Sequence, residues 1–323
     1  MCTAISMKTG DCYFGRNLDF EHTFGEKIVI TPRNYRFDFS DGSFAQNHYA
    51  IIGMAVVCEN FPLYFDAVNE VGLGMAGLNF PKYACYNKIA DGKENTASYE
   101  FIPKILSRCK DIAEAKKIVE NTNITDSSFK ENMPPTPLHW LISDGESSIT
   151  VEQTKDGMKV YDNPVGVLTN SPTFDVHMAN LSSYMHLSPY EPQNTFSDKI
   201  KIEAFSRGMG AIGLPGDLSS MSRFVRAAFT KLNLVCEDDE NSAVCSFFHA
   251  LYSVYQQRGC VRLESGLEKT NYSCCCNMSK GIYYYTTYNN PQICAVDMHR
   301  ESLDGTSLST YELVNKTHFV FCN

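Results

Sequence analysis

Basic residues are the scarcer charge in this chain. Lys and Arg number 28 against 37 Asp and Glu, a formal net charge of −9. A dedicated nucleic-acid binder carries a basic face, so the balance argues against that class. Long apolar runs are missing too: the longest uncharged one, Ala50 to Cys58, is about half of the roughly 20 residues that cross a bilayer. A secretory signal needs an apolar stretch near its start, and here Lys8 and Asp11 interrupt it. A cytoplasmic protein without a membrane span is therefore expected. The histidines show no HExxH or comparable metal spacing, and neither a GxSxG elbow nor a Gly-Lys-Ser/Thr phosphate loop occurs. Neither a metal nor an organic cofactor is expected. No Pro/Ser/Gly linker and no internal repeat divides the sequence, which points to one domain over residues 2–323.

What is present is ordinary globular material, 43% hydrophobic and 20% charged. An odd count of 13 cysteines without a CxxC pair argues against a disulfide framework, and Cys274-Cys275-Cys276 reads as buried thiols. Two segments, Gly72–Gly77 and Gly208–Gly213, spell GxGxxG, but Asn79-Phe80-Pro81 and Leu214-Pro215-Gly216 follow them where a dinucleotide site needs a helix. Close backbone packing is the better reading of both. Strand-like segments open the chain as a hairpin, Thr3–Met7 and Tyr13–Arg16 about a turn at Lys8–Asp11, and continue at Tyr49–Val57, Leu63–Val68 and Leu73–Leu78. Two helices are predicted within 98–121, the second opened by Asp111 with Glu114 at capping-box spacing. Strands at Leu138–Ser143, Ser148–Gln153, Met158–Tyr161 and Val165–Leu168 precede helices near Ser219–Leu234 and Ser242–Gln256. Further strands are predicted at Gly281–Tyr288, Ile293–Met298 and His318–Phe321. Without strict βαβ alternation this is an α+β pattern with antiparallel sheets.

Chemistry concentrates at Cys2. A small residue behind Met1 permits removal of that methionine, which puts a thiol and a free α-amine on one residue. The amine titrates at about 7.7–8.0 and the thiol near 8.5, so a modest perturbation makes thiolate, and the amine can serve as base for its own side chain. Gly15-Arg16-Asn17-Leu18-Asp19 lies on the return strand of the hairpin, beside Cys2. Arg16 could hold the thiolate and Asp19 orient the amine; a surface ion pair between the two is the plain alternative.

These residues resemble the choloylglycine hydrolase family, which includes bile salt hydrolases and penicillin V acylases. The similarity runs from Met1-Cys2-Thr3 and Gly15–Asp19 through Gly77–Pro81, Pro137–Trp140 and Leu168–Pro172. It ends with Gly213–Asp217 and Ser222–Ala227, in family order over most of the chain. The resemblance implies a four-layer αββα sandwich of the N-terminal nucleophile type, two antiparallel sheets between helix layers, assembled as a homotetramer. It implies Cys2 as nucleophile, with Arg16, Asp19, Asn79, Asn170 and Arg223 as site residues and Arg226 only a neighbour. Asn79 is the residue of bile salt hydrolases where penicillin V acylases carry Tyr. The expected reaction is hydrolysis of the amide joining a bile acid to glycine or taurine through an acyl-enzyme. A penicillin V or other N-acyl amide hydrolase is the alternative, and a non-enzymatic binding protein on the same fold is the alternative of another class. Asn79 and a backbone or side-chain N–H of Asn170 are the candidate oxyanion donors. A steroid calls for an apolar pocket, with Leu18, Phe24, Phe129 and Met133 as candidate walls and Arg207 as a candidate partner for the anionic end of the substrate.

Overall fold

The computed structural model describes residues Met1–Asn323. Cys2–Thr9 (β1) and Asp11–Phe20 (β2) form the N-terminal hairpin. Lys27–Thr31 (β3), the short pair Phe37–Asp38 (β4) and Phe44–Ala45 (β5), Ile51–Cys58 (β6), Phe61–Asn69 (β7) and Gly74–Asn79 (β8) follow. Glu94–Ala97 (β9) precedes helices Phe101–Leu106 (α1) and Ile112–Asn121 (α2). Next come Thr122–Thr125 (β10), Leu138–Ser143 (β11), Ser148–Thr154 (β12), Gly157–Asp162 (β13) and Val167–Leu168 (β14). Three helices, Phe174–Leu181 (α3), Ser220–Asn233 (α4) and Glu240–Tyr252 (α5), then lead to Val261–Leu263 (β15), Gly266–Asn277 (β16), Ile282–Thr287 (β17), Asn290–Asp297 (β18) and Ser309–Glu312 (β19).

Two antiparallel sheets pack face to face. One has seven strands in the order β14-β1-β2-β16-β17-β18, with β15 on β16; the other has eight, β13-β12-β11-β8-β7-β6-β3-β19. Helices α4 and α5 lie against β1, β2 and β16, while α1 packs on β7 and β8 and α2 on β13. The result is the αββα sandwich. Ile5, Phe14, Ile28, Val68 and Leu141 belong to one apolar cluster that bridges the sheets, and Phe101, Trp140 and Val151 belong to a second beneath α1 and α2. No helix is long and apolar enough to cross a membrane.

Local signals in the sequence act as expected at several points. Asp111 accepts from Glu114 N–H at 2.9 Å, although the Glu114 carboxylate turns to Lys110 N–H rather than closing a full capping box. Gly10, at φ +63°, makes the tight hairpin turn, so both strands run longer than their apolar cores suggest. Both Gly-rich motifs are sites of close approach. A Cβ on Gly77 would meet Leu138 and Trp140 at 3.2 Å, and one on Gly210 would lie 1.9 Å from the Tyr190 carbonyl.

The sequence reading leaves out several strands, β3 and β16 among them, and one helix, and one of its predicted strands does not form. β16, the longest strand, was not foreseen, because it runs between sheet and helices with nearly every residue of its second half buried and so shows no alternation. Its Cys274-Cys275-Cys276 are three successive core positions. The short α3 was also missed. His318–Phe321 is exposed chain and forms no strand, since no sheet edge pairs with it.

Gly15 on β2 is where the sheet is tightest: a Cβ there would sit 1.9 Å from the Cys274 carbonyl oxygen of β16. Gly15→Ala is therefore expected to destabilise the fold by more than about 3 kcal/mol, read as a loss of urea midpoint with unchanged m-value.

Candidate active site

Register brings the site together. Cys2 sits opposite Leu18 and Ala4 opposite Arg16 across the hairpin, while Asp19 faces Thr270 on β16. Cys2 is buried at 3% exposure. Its backbone N–H donates to Asn170 Oδ1 at 2.8 Å, and its carbonyl accepts from Arg223 Nη1 at 2.5 Å.

Arg223 enters from α4, whose first turn is capped by Ser219 accepting from Ser222 N–H. Its guanidinium also donates to Thr3 Oγ1 at 2.6 Å, Asn170 Oδ1 at 2.7 Å and the Leu218 carbonyl at 3.0 Å. Burial pulls its proton affinity down, opposed by Asp19, Cys2 and Glu268. An arginine starts so far above neutrality that it stays a cation. Arg226, one turn on, instead ties down carbonyls of Ser253, Pro215 and Asp217.

Arg16 is fully buried in the hairpin's return strand. Its Nη1 donates to the carbonyls of Gly77 at 2.6 Å and Phe65 at 3.0 Å, while Nη2 has no partner. Phe65 is the extra residue of a bulge in β7, where pairing with β6 slips between Asp66 and Tyr64. A bulged residue has lost its ladder partner, and its carbonyl is free to turn to a side chain. Burial disfavours the Arg16 charge, but the neighbouring Cys2, Tyr272, Asp66 and Cys274 outweigh that, and the group is held above its ordinary value. The surface-pair alternative for Arg16 and Asp19 is thus overturned: both are wholly buried, and each has other partners.

Asp19 Oδ1 accepts from Thr270 Oγ1 at 2.6 Å, and Oδ2 is buried without a partner. Burial pushes the Asp19 carboxyl up, opposed by Arg223, the chain-start ammonium and Thr270. That ammonium, on Met1, donates to the Asp19 carbonyl at 2.6 Å and to Glu268 Oε1 at 2.8 Å.

Asn170 is held on every side. Its N–H goes to Ser220 Oγ, its carbonyl accepts from His177 Nε2, and its Nδ2 donates to the Asn79 carbonyl, at 2.7–2.8 Å. The expected backbone oxyanion donor on Asn170 is therefore already used; only one side-chain hydrogen of Nδ2 is left over. Asn79, at the end of β8, keeps its own side-chain amide without a protein partner and opens onto the cavity.

That cavity has a volume of about 500 Å³ and carries Cys2, Arg16 and Asn79 on one wall. Leu18, Phe24, Phe129 and Met133 all line it, with Pro134 and Pro135 beside Met133, and are joined by Phe20, Val56, Leu63, Phe65, Tyr99 and the run Thr136–Leu138, which the sequence did not single out as walls. Arg207 does not reach it. It lies exposed in the irregular stretch before Gly208, with no ladder or helix to carry it inward. A larger cleft of about 820 Å³ near Arg33, His48 and Glu70 holds neither a cysteine nor any of the candidate residues.

Sequence reasoning also missed Glu268, Thr270, Asp66 and His177, each brought in from a distant element. Glu268 and Thr270 sit on the unforeseen β16, and no motif marks them.

An αββα sandwich with a cysteine at the head of its inner hairpin, flanked by buried guanidiniums and a free amide, defines an amide hydrolase of the N-terminal nucleophile class. A family model described as linear amide C–N hydrolases, choloylglycine hydrolase family, matches residues 2–311. The chain belongs to that family. It is 48% identical, over the full length of both chains, to a bile salt hydrolase/transferase of Lactiplantibacillus plantarum. It is 42% identical, over 98% of each chain, to one of Clostridium perfringens. Among solved structures, a variant of the conjugated bile acid hydrolase from Clostridium perfringens superposes with TM-score 0.92 at 40% identity over the whole of both chains. A penicillin V acylase from Agrobacterium tumefaciens shares the fold, with TM-score 0.75 at 18% identity, over 96% of this chain and 91% of its own.

The clamp on Asn170 carries a pH dependence. Burial lowers the His177 imidazole from 6.5 to about 4. Between those values the unfolded chain binds a proton that the folded chain refuses, so stability rises with pH there. The contribution is complete above the unfolded value and falls away by about 3 kcal/mol as pH drops toward the folded one. Chemical denaturation from pH 7 to pH 4 is expected to show this loss, and His177→Gln, which keeps a donor to Asn170, is expected to flatten that part of the curve.

Proposed function

We propose that the enzyme hydrolyses the amide bond of bile acids conjugated to glycine or taurine. The observation that carries this is the apolar cavity of about 500 Å³ opening directly on Cys2, Arg16 and Asn79. A rigid steroid fills such a space with few polar contacts, and the full-length relatives named above are bile salt hydrolases.

In this reading Met1 is excised and the Cys2 amine takes up the position now held by its amide, donating to Asn170 Oδ1 with the unpaired Asp19 Oδ2 at hand. Arg16 and Arg223 favour the Cys2 thiolate. Thiolate attack on the amide carbon develops negative charge on its oxygen, to which the free Asn79 amide and the spare Nδ2 hydrogen of Asn170 donate. Preorganised donors of this kind are worth about 2.7–4 kcal/mol each. The glycine or taurine amine leaves with a proton from the Cys2 α-ammonium, and water then releases the bile acid from the thioester. Penicillin V hydrolysis is the second reading, disfavoured by Asn79 where those acylases more often carry Tyr.

The one-domain organisation, a cytoplasmic location and a homotetramer complete the proposal. The bridging apolar cluster, which includes residues from Cys2 to Leu303, supports the first. Thirteen unpaired cysteines suit a reducing compartment. Tyr190, Phe196 and Phe205 stand 78–86% exposed on the irregular stretch that holds Arg207. That is an apolar surface suited to contact with a second copy.

Side by side, glycocholate and taurocholate are expected to exceed penicillin V in kcat/KM by at least about tenfold, or roughly 1.4 kcal/mol. Better turnover of penicillin V would install the acylase reading instead. Asn79→Ala is expected to lower kcat about a hundredfold; an effect confined to KM would make Asn79 a binding residue only. Active protein should also lack one Met by intact mass and scatter light as about four chains, outcomes reversed by full activity in a monomer that retains Met1.

A further inference from the structure

Next to the bulged Phe65, and outside the lining of the cavity, lies a carboxylate with no assigned role. Asp66 is 1% exposed and projects from β7 across the gap between the sheets. It accepts from Tyr272 Oη and Tyr283 Oη, both at 2.6 Å, and from Cys274 Sγ at 3.3 Å. All three partners belong to the opposite sheet, on β16 and β17. The two O–H···O contacts of 2.6 Å fall in the charge-assisted range of a carboxylate acceptor.

The cation whose field reaches it is Arg16, without a direct ion pair, since the Arg16 hydrogen bonds run to backbone carbonyls. Asp66 follows the bulged Phe65 whose carbonyl holds Arg16 Nη1, so one irregularity in β7 sets both the carbonyl contact and the carboxylate behind it. Burial pushes the Asp66 carboxyl up, opposed first by Arg16 and then by its three donors. The ionisable groups around the two are Cys2 from β1, Tyr272 and Cys274 from β16 and Tyr283 from β17; Arg223 also neighbours Cys2, with Asp19 and Glu268 near that second guanidinium.

We propose that Asp66 is a positioning residue of the active site, a buried counter-charge near the Arg16 guanidinium that sets how strongly it favours the Cys2 thiolate. The proposal rests on Cys2 being the nucleophile. It makes the inter-sheet Tyr272–Asp66–Tyr283 network part of the electrostatics of the reaction rather than a strap alone. Removing the negative charge leaves Arg16 less compensated, and a stronger positive potential at Cys2 stabilises its thiolate.

The test is the pH dependence of Cys2 alkylation by iodoacetamide, followed by peptide mass on the full-length enzyme. Asp66→Asn is expected to move the Cys2 midpoint down by about half a pH unit or more, and Asp66→Glu to bring it back toward the parent value. If the Asn variant does not fold, pairing it with Tyr283→Phe removes the donor that would face the new amide, and the same downward shift is expected. A midpoint that stays in place while the melting temperature falls would overturn the proposal and leave Asp66 as a purely structural tie. The readout needs no bile salt. A shifted midpoint in an enzyme inert to bile salts would therefore sink the substrate reading alone, and an unmoved one in an active enzyme would sink this proposal alone.

Discussion

Two guanidinium groups buried without a drop of accessible surface organise this protein. Placing a full positive charge in the interior costs several kcal/mol unless hydrogen bonds and counter-charges meet it. Arg16 and Arg223 answer that demand differently. Arg223 is saturated by Cys2, Thr3, Asn170 and Leu218, so it works as a bracket that joins α4 to the head of β1. Arg16 is left with Nη2 unpartnered on the wall of the cavity. A buried donor without a partner carries a standing cost of about 1–3 kcal/mol. Arg223 spends its donors on the frame of the site, and Arg16 keeps one unspent.

The hairpin alone cannot meet these requirements. Its outer neighbour β14 leads directly to Asn170, and its inner neighbour β16 supplies Thr270 to Asp19 and Tyr272 and Cys274 to the ground behind Arg16. Gly15 is the concession that allows this. Without a side chain there, β16 comes within reach of β2 in the middle of the sheet. The bulge at Phe65 plays the matching part in the other sheet, turning a backbone carbonyl from ladder to ligand. Sheet irregularities thus do much of the aiming in the site, because a regular strand offers its carbonyls only to its neighbours.

The cavity follows from the same layout. The end of β8 presents Asn79, and the prolines at 134, 135 and 137 stiffen the wall facing it. Phe20, Phe24 and Phe65 pack against one another near its rim, with Phe20 and Phe24 at 4.8 Å and Phe24 and Phe65 at 5.5 Å between ring centres. Rigid, apolar walls around one polar corner bind by exclusion of water and leave orientation to few groups.

From sequence alone, Cys2 behind a removable Met, the Arg16–Asp19 strand beside it and the helix-borne Arg223 were all legible, since each is local or carried by an ordered motif. So were the α+β pattern, most strands and both long helices, where alternation and caps are strong. Leu18, Phe24, Phe129 and Met133, apolar candidates in the sequence, do line the cavity, while Arg207 lies outside its lining. Only the tertiary structure decided what lies behind these residues. β16 is buried so thoroughly that its pattern loses the period of a strand, and Thr270 and Glu268 are lost with it, although its Cys274–Cys276 run reads as buried from sequence. Asp66, His177 and the loss of Asn170 N–H to Ser220 depend on contacts between elements far apart in the chain, and no local propensity encodes which buried donor meets which acceptor.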